Sequence, residues 1–151
     1  MNPSHLMLSH IAWTAHVRLS HGRGWTPPSQ AIRCRRYAGF LREVFGNRGV
    51  RRSVWILREE VGRGGRLHAH LLLVGRRCDV IRAVLWYRHK YADAHFDFTS
   101  RRPWVVGYTL HKLDEGQARW GGSQVRLLWI SQQLRTQLQG APQLSCASAG
   151  N

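Results

Sequence analysis

The sequence has few acidic residues and few cysteines. Asp and Glu number 8 against 23 Lys and Arg, which gives a formal net charge of +15. This charge is larger than solubility requires and predicts a polyanionic partner, with nucleic acid as the leading candidate. Cys34, Cys78 and Cys146 are widely spaced and form no CxxC pair. The sequence therefore supports neither a disulfide framework nor a zinc knuckle.

Long apolar runs and nucleotide-binding loops are also missing. Residues 1–19 contain three histidines and Arg18 and have no uninterrupted apolar core, so they fit neither a signal peptide nor a membrane span. We therefore expect a cytoplasmic protein without membrane contact. No GxxxxGK[ST] motif occurs, so no helicase module is expected. We expect one domain over residues 1–139, followed by a disordered tail over 140–151.

The pattern of apolar residues predicts an α+β fold. Strands are expected over 10–19, 54–61, 67–74 and 95–99. Helices are expected from a cap at Ser29 to about Phe45, over 80–91 and over 104–113, whereas 125–131 is ambiguous between strand and helix. This order predicts a central antiparallel β-sheet with flanking helices.

Two histidines spaced two residues apart mark the most informative strand. His68 and His70 lie in the apolar run 67–74. Because side chains alternate across a strand, both imidazoles are expected on one face of the sheet. Neutral imidazoles in this arrangement are suited to bind a divalent metal ion.

Glu59 and Glu60 compete to be the third metal ligand. Alternation places their side chains on opposite faces, so only one can join the histidines. The glycine-rich link 62–65 predicts a hairpin, and a turn centred on residues 63 and 64 would place Glu59 opposite His68. We therefore predict Glu59 as the ligand, although a register shift of one residue would select Glu60. Two imidazoles and a carboxylate leave open positions on the ion, which can then polarise a phosphodiester.

Tyr108 is the candidate nucleophile for cleavage of that phosphodiester. A phenol is mostly un-ionised at neutral pH, so it needs a nearby cation or metal ion to become an effective nucleophile. Lys112 lies four residues later on the same predicted helical face and is the second candidate catalytic residue. The alternative interpretation is a buried tyrosine with a surface lysine.

Arginines supply most of the positive charge, and aromatic residues are scattered among them. Guanidinium groups bind phosphates as a rigid fork, and aromatic rings stack on unpaired bases. This composition favours a single-stranded or distorted substrate. The candidate nucleic-acid contacts are Arg63, Arg66, Arg76, Arg77, Arg101 and Arg102. The spacing of the other seven histidines indicates no functional role.

Residues 55–73, with their His-Ala-His motif, and the later segment 107–112 resemble the HUH endonucleases. The resemblance is closest to the rolling-circle replication initiators (Rep proteins) of plasmids, phages and single-stranded DNA viruses, and it covers roughly residues 10 to 131. It implies that His68, His70 and Glu59 hold Mg²⁺ or Mn²⁺. Tyr108 would attack the origin strand, leaving a 5′-phosphotyrosine link and a free 3′-OH. The implied partners are single-stranded or hairpin origin DNA and a host helicase and polymerase.

Two alternatives remain open. A single-tyrosine transposase of a small insertion sequence has a similar length and the same motif, with a metal ligand about four residues after the tyrosine. Lys112 occupies that position, and a protonated lysine is a poor ligand. Many of the initiators have lysine where this chain has His111, so the position of Lys112 departs from the family pattern by one residue. A noncatalytic DNA- or RNA-binding module is the other alternative, in which the His-Ala-His strand is structural.

Overall fold

The chain folds into an antiparallel sheet with helices on both faces, as the apolar pattern predicts. The computed structural model describes residues 7–24, 26–62, 64–111, 119–120, 124–125 and 128–139. Its helices and strands are β1 (Ala15–Ser20), α1 (Gln30–Arg52), β2 (Trp55–Val61), β3 (Leu67–Leu73), α2 (Arg77–Lys90), β4 (Ala94–Phe98), α3 (Trp104–His111), β5 (Arg119–Trp120), β6 (Gln124–Val125), β7 (Leu128–Ile130) and α4 (Gln132–Leu138).

Five of the strands form the main sheet in the order β4-β1-β3-β2-β7, and β5 and β6 form a separate pair. Every neighbouring pair in the main sheet is antiparallel. The strand that carries both histidines, β3, lies in the middle of this sheet, between β1 and β2. A side chain on β3 can therefore meet side chains from two neighbouring strands.

The larger core lies between one face of the sheet and the helices α1 and α2. Alternating strand residues such as Val17, Leu57 and Leu71 are fully buried there against Phe40 and Val84. This face explains the apolar alternation of β1, because Ala15, Val17 and Leu19 all join the same cluster.

A smaller core covers part of the opposite face and positions α3. Its buried members come from distant parts of the chain and are Leu8, Trp13, Ile56, Leu72, Leu110, Ile130 and Leu134. Leu110 belongs to α3 and Leu134 to α4, so both helices pack on this face. The histidines of β3 also project from this face, and α3 is thereby placed close to them.

Several boundaries differ from the sequence-based prediction. The first strand begins at Ala15 rather than at residue 10. Gly46, with φ 74° and ψ 163°, interrupts α1 near the predicted end at Phe45, but helical structure resumes and continues to Arg52. The ambiguous segment forms β7, and the unpredicted α4 follows, with the Ser131 hydroxyl accepting a hydrogen bond from the Leu134 amide.

Two predictions about the fold fall outside the described residues, namely the disordered tail 140–151 and the end of the third helix at 112–113. Among the described residues, no helix has the length and apolar character needed to cross a membrane.

Candidate functional site

The register of the β2–β3 hairpin decides which glutamate faces the histidines. Glu60 pairs with His68 and Glu59 pairs with Ala69, so the prediction of Glu59 as a metal ligand is wrong. Gly62 and Arg66 are hydrogen-bonded across the loop, and Gly65 has φ 74°. The loop between them therefore has three residues instead of two, with glycine at the left-handed position that such loops favour. This difference of one residue brings Glu60 to the histidine face.

Glu60, His68 and His70 form a compact set of potential ligands, called the metal cluster below. The Nε2 atom of His70 lies 2.7 Å from Glu60 Oε2 and 3.0 Å from His68 Nε2. The distance from His68 Nε2 to Glu60 Oε2 is 3.7 Å. Neighbouring ligands of an octahedral ion with bonds near 2.1 Å are about 3 Å apart. The donor set and its spacing therefore fit a divalent ion such as Mg²⁺ or Mn²⁺.

Burial keeps the histidines of the cluster in the form that binds metal. Loss of hydration lowers the pKa of both His68 and His70, and the nearby Arg58 guanidinium acts in the same direction. His70 is further affected by the neighbouring imidazoles of His16 and His68. A neutral imidazole offers a nitrogen lone pair to an ion at neutral pH, whereas an imidazolium has none available.

His16 supports His70 from the adjacent strand. The two rings stack with centroids 5.1 Å apart, and His16 Nε2 lies 2.9 Å from His70 Nδ1. Burial lowers the pKa of His16 to about 4. When His70 binds an ion through Nε2, its Nδ1 carries the proton and donates to neutral His16, which fixes the orientation of the ligand ring. Sequence reasoning missed this residue, although the alternation of β1 already placed His16 opposite the apolar face.

Arg58 is a second unpredicted residue of the site. It is only 6% exposed and pairs with His70 across the hairpin. Its Nη2 lies 3.5 Å from Glu60 Oε2. Arg58 Nε and Nη2 are buried without a hydrogen-bond partner in the described part of the chain. A buried guanidinium next to Glu60 adds positive charge that favours anions such as a phosphate at the site.

Glu59 instead accepts buried hydrogen bonds from residues of α1 on the opposite face of the sheet. Arg33 Nε donates to Glu59 Oε1 at 2.7 Å, and the Tyr37 hydroxyl donates to the same oxygen at 2.8 Å. His21 Nε2 lies 2.6 Å from the Tyr37 oxygen. Since Tyr37 already donates its proton to the carboxylate, His21 must donate through Nε2. All of these contacts stabilise the packing of α1 on the sheet.

Tyr108 lies beside the metal cluster. Its side chain is 43% exposed, and its ring centroid is 6.1 Å from that of His70. The helix α3 brings it there because Leu110, on the other side of the same helix, is buried in the smaller core. Lys112 lies outside the described residues, so its predicted proximity to Tyr108 stays a prediction.

The predicted arginines are distributed unevenly around the site. A cleft of about 680 Å³ beside His68 is lined by Arg18, Arg23 and Arg66, and we call it the basic cleft. Arg76 and Arg77 are exposed at the other end of β3, and Arg101 and Arg102 are exposed just before α3. Arg102 contacts Asp97 at 3.4 Å. Arg63 lies outside the described residues. Two arginines of the basic cleft, Arg18 and Arg23, were not among the predicted contacts.

Comparison with protein-family models, curated proteins and solved structures found no match for this chain.

Proposed function

We propose that this protein is a metal-dependent endonuclease that nicks and rejoins single-stranded DNA, and that it initiates rolling-circle replication. The observation that carries the proposal is the position of Tyr108, a half-exposed tyrosine whose ring lies 6.1 Å from that of His70, one of three convergent potential metal ligands. The large positive charge of the chain and the basic cleft beside His68 support DNA as the substrate.

The metal cluster and Tyr108 have separate roles in the proposed reaction. Mg²⁺ or Mn²⁺ held by Glu60, His68 and His70 would polarise the scissile phosphate and neutralise charge on it. The Tyr108 oxygen attacks phosphorus, a Tyr–O–P bond forms, and the bond from phosphorus to the 3′ oxygen breaks. The phenol loses its proton and the departing 3′ oxygen gains one, which yields a 5′-phosphotyrosine and a 3′-OH. One phosphoester replaces another, so attack by a 3′-OH can reverse the step and rejoin the strand.

The origin of the third ligand supports the initiator over the transposase. In the transposase alternative, a residue of the tyrosine helix completes the metal site. Here Glu60 on β2, opposite His68 in the same hairpin, would supply the carboxylate instead. A replication initiator of this kind would act together with a helicase and a polymerase of its host.

The proposal is tested by trapping the covalent intermediate. Purified protein is mixed with a labelled pool of single-stranded DNA and Mn²⁺, and a denaturing gel is examined for a protein–DNA band. We expect a band that disappears with a chelator or with Tyr108→Phe. A matched control is Tyr87→Phe, which removes a hydroxyl bonded to the Ser20 carbonyl in the α2 layer. The control should keep the band.

The noncatalytic alternative predicts a different result. DNA would bind with the same affinity in the presence of chelator, and no band would form with any sequence in the pool. A band that persists in Tyr108→Phe would show that another residue is the nucleophile. Either result would overturn the proposed role of Tyr108.

A further inference from the structure

Trp104 is a large aromatic residue exposed at the start of α3. Its side chain is 64% exposed, more than any other large apolar side chain in the described part of the chain. It lies at the start of α3, four residues before Tyr108, so the two aromatic side chains lie on the same helical face. The opposite face of α3 is packed, since Val105, Thr109 and Leu110 are buried.

Gly107 lies on this exposed face between the two aromatic residues. It is inside the helix, its φ is not positive, and a Cβ added to it would meet no atom within 4 Å. Glycine in a helix interior destabilises the helix relative to alanine. Neither backbone conformation nor packing requires glycine here. Its absence of a side chain instead leaves open surface beside Trp104 and Tyr108, and we call residues 104, 107 and 108 the stacking face.

The charges around the stacking face indicate what it binds. Arg101 and Arg102 are exposed and are separated from Trp104 only by Pro103. On the side of Tyr108, the face adjoins the metal cluster through the contact with His70. An exposed indole between guanidinium groups and a phosphate-cleaving site matches single-stranded nucleic acid, because unpaired bases stack on aromatic rings while arginines hold the backbone.

We propose that the stacking face binds one unpaired nucleobase next to the scissile phosphate. The base stacks on the Trp104 indole, and the sugar-phosphate backbone passes over Gly107 to Tyr108. Four helical residues span about 6 Å along the axis, so one nucleotide bridges the two aromatic side chains. The position of the base relative to the nick rests on the proposed function, whereas the stacking itself does not require cleavage.

The test separates base stacking from charge and from catalysis. Binding of a short fluorescent oligothymidylate is measured by anisotropy in the Tyr108→Phe background, with and without Trp104→Ala. We expect Trp104→Ala to weaken binding by roughly 5- to 150-fold, the loss of one base stacking contact. Trp104→Phe should recover most of the affinity. Leu85→Ala, which truncates another exposed apolar side chain on α2, should leave binding unchanged.

The decisive comparison measures binding of an abasic oligonucleotide of the same length by the same two proteins. On this ligand the Trp104→Ala effect should vanish, because phosphates remain but nothing can stack. Equal losses on both ligands would overturn the stacking proposal, as would unchanged binding. A change of oligomeric state with Trp104→Ala, measured by sedimentation, would instead assign the face to a second copy of the chain.

Gly107→Ala provides an independent measurement. Alanine should raise the melting temperature, since it favours the helix, and should weaken oligothymidylate binding by placing a methyl group under the backbone. A more stable variant with unchanged binding would exclude close approach of DNA at Gly107. These binding measurements can succeed even when no covalent band forms, so failure of the nickase proposal and failure of the stacking proposal are distinguishable.

Discussion

Glu60 and His68 are direct partners across the β2–β3 hairpin and project from the same face of the sheet. Glu59, the next residue in the chain, is 2% exposed and is bound to Arg33 on the other face. Two adjacent glutamates therefore belong to two different clusters. Glu60 is part of the metal cluster, and Glu59 is part of the contacts that hold α1 on the sheet.

Substitution of each glutamate by glutamine should separate these roles. Glu60→Gln is expected to reduce Mn²⁺ affinity by roughly 10- to 100-fold or more, since it removes an anionic ligand. Glu59→Gln should retain Mn²⁺ binding but lower the free energy of unfolding by about 3–5 kcal/mol, because Arg33 would be left as a buried charge without its ionic partner. Isothermal titration with Mn²⁺ and urea denaturation measure the two effects. Weak metal binding in folded Glu59→Gln would contradict the assignment.

Removal of the His16 ring should lower the affinity for Mn²⁺ without removing a residue of the metal cluster. His16→Ala leaves the Nδ1 proton of a metal-bound His70 without its acceptor, and we expect Mn²⁺ affinity to fall by about 10- to 100-fold. His16→Gln, which keeps an acceptor oxygen on a side chain of similar reach, should recover part of the loss. Equal affinities for the wild type and His16→Ala would show that His16 only packs against His70.

Stability should fall as the pH decreases from about 6.5 towards 4, in part because of His21. Burial, followed by the charges of Arg36 and Arg33, lowers the pKa of His21 to about 4. The unfolded chain therefore binds protons more readily than the folded protein below pH 6.5. The contribution of neutral His21 to the free energy of unfolding is complete above that pH and is lost as the pH falls.

Urea denaturation at pH 7.5 and pH 5, with chelator present, measures this dependence. One such histidine lowers the free energy of unfolding by roughly 2 kcal/mol when the pH falls from 7.5 to 5. His21→Gln should show a smaller decrease than the wild type, while the other histidines remain common to both proteins. An equal decrease in the two proteins would show that His21 is not the group responsible.

Arginines of the basic cleft should contribute to DNA affinity through phosphate contacts. Arg18→Ala and Arg23→Ala are each expected to weaken binding of single-stranded DNA and to reduce the slope of log affinity against log salt concentration by about 0.7. Arg51, exposed at the end of α1, provides the control, and Arg51→Ala should leave the slope unchanged. Similar slopes for all three variants would indicate a diffuse charge effect instead of a defined path through the cleft.

The apolar pattern was sufficient to predict the sheet, the hairpin and the face shared by His68 and His70. Alternation over β1 and β3 directly encodes which side chains are buried under α1 and α2. The choice between Glu59 and Glu60 depended on loop length, which alternation does not encode. Gly65 indicated the correct loop length, because a glycine at the last position is typical of a three-residue hairpin loop.

The residues around the ligands were harder to predict because they come from different strands. His16 and Arg58 reach His70 only through the pairing of β1 and β2 with β3. Neither residue belongs to a spacing motif, and β3 could have paired with other strands. The α4 helix was missed because seven residues provide too little periodicity, although Ser131 is a typical helix cap.

The smaller core also determines when the site can be completed during synthesis. The metal cluster and its supporting histidine lie within residues 16–70, so their strands can pair while the chain is still emerging from the ribosome. Tyr108 depends on α3, whose buried side shares a core with Leu134 of α4. Tyr108 therefore reaches its final position only after Glu60, His68 and His70, when Leu134 has been added and has packed against the sheet.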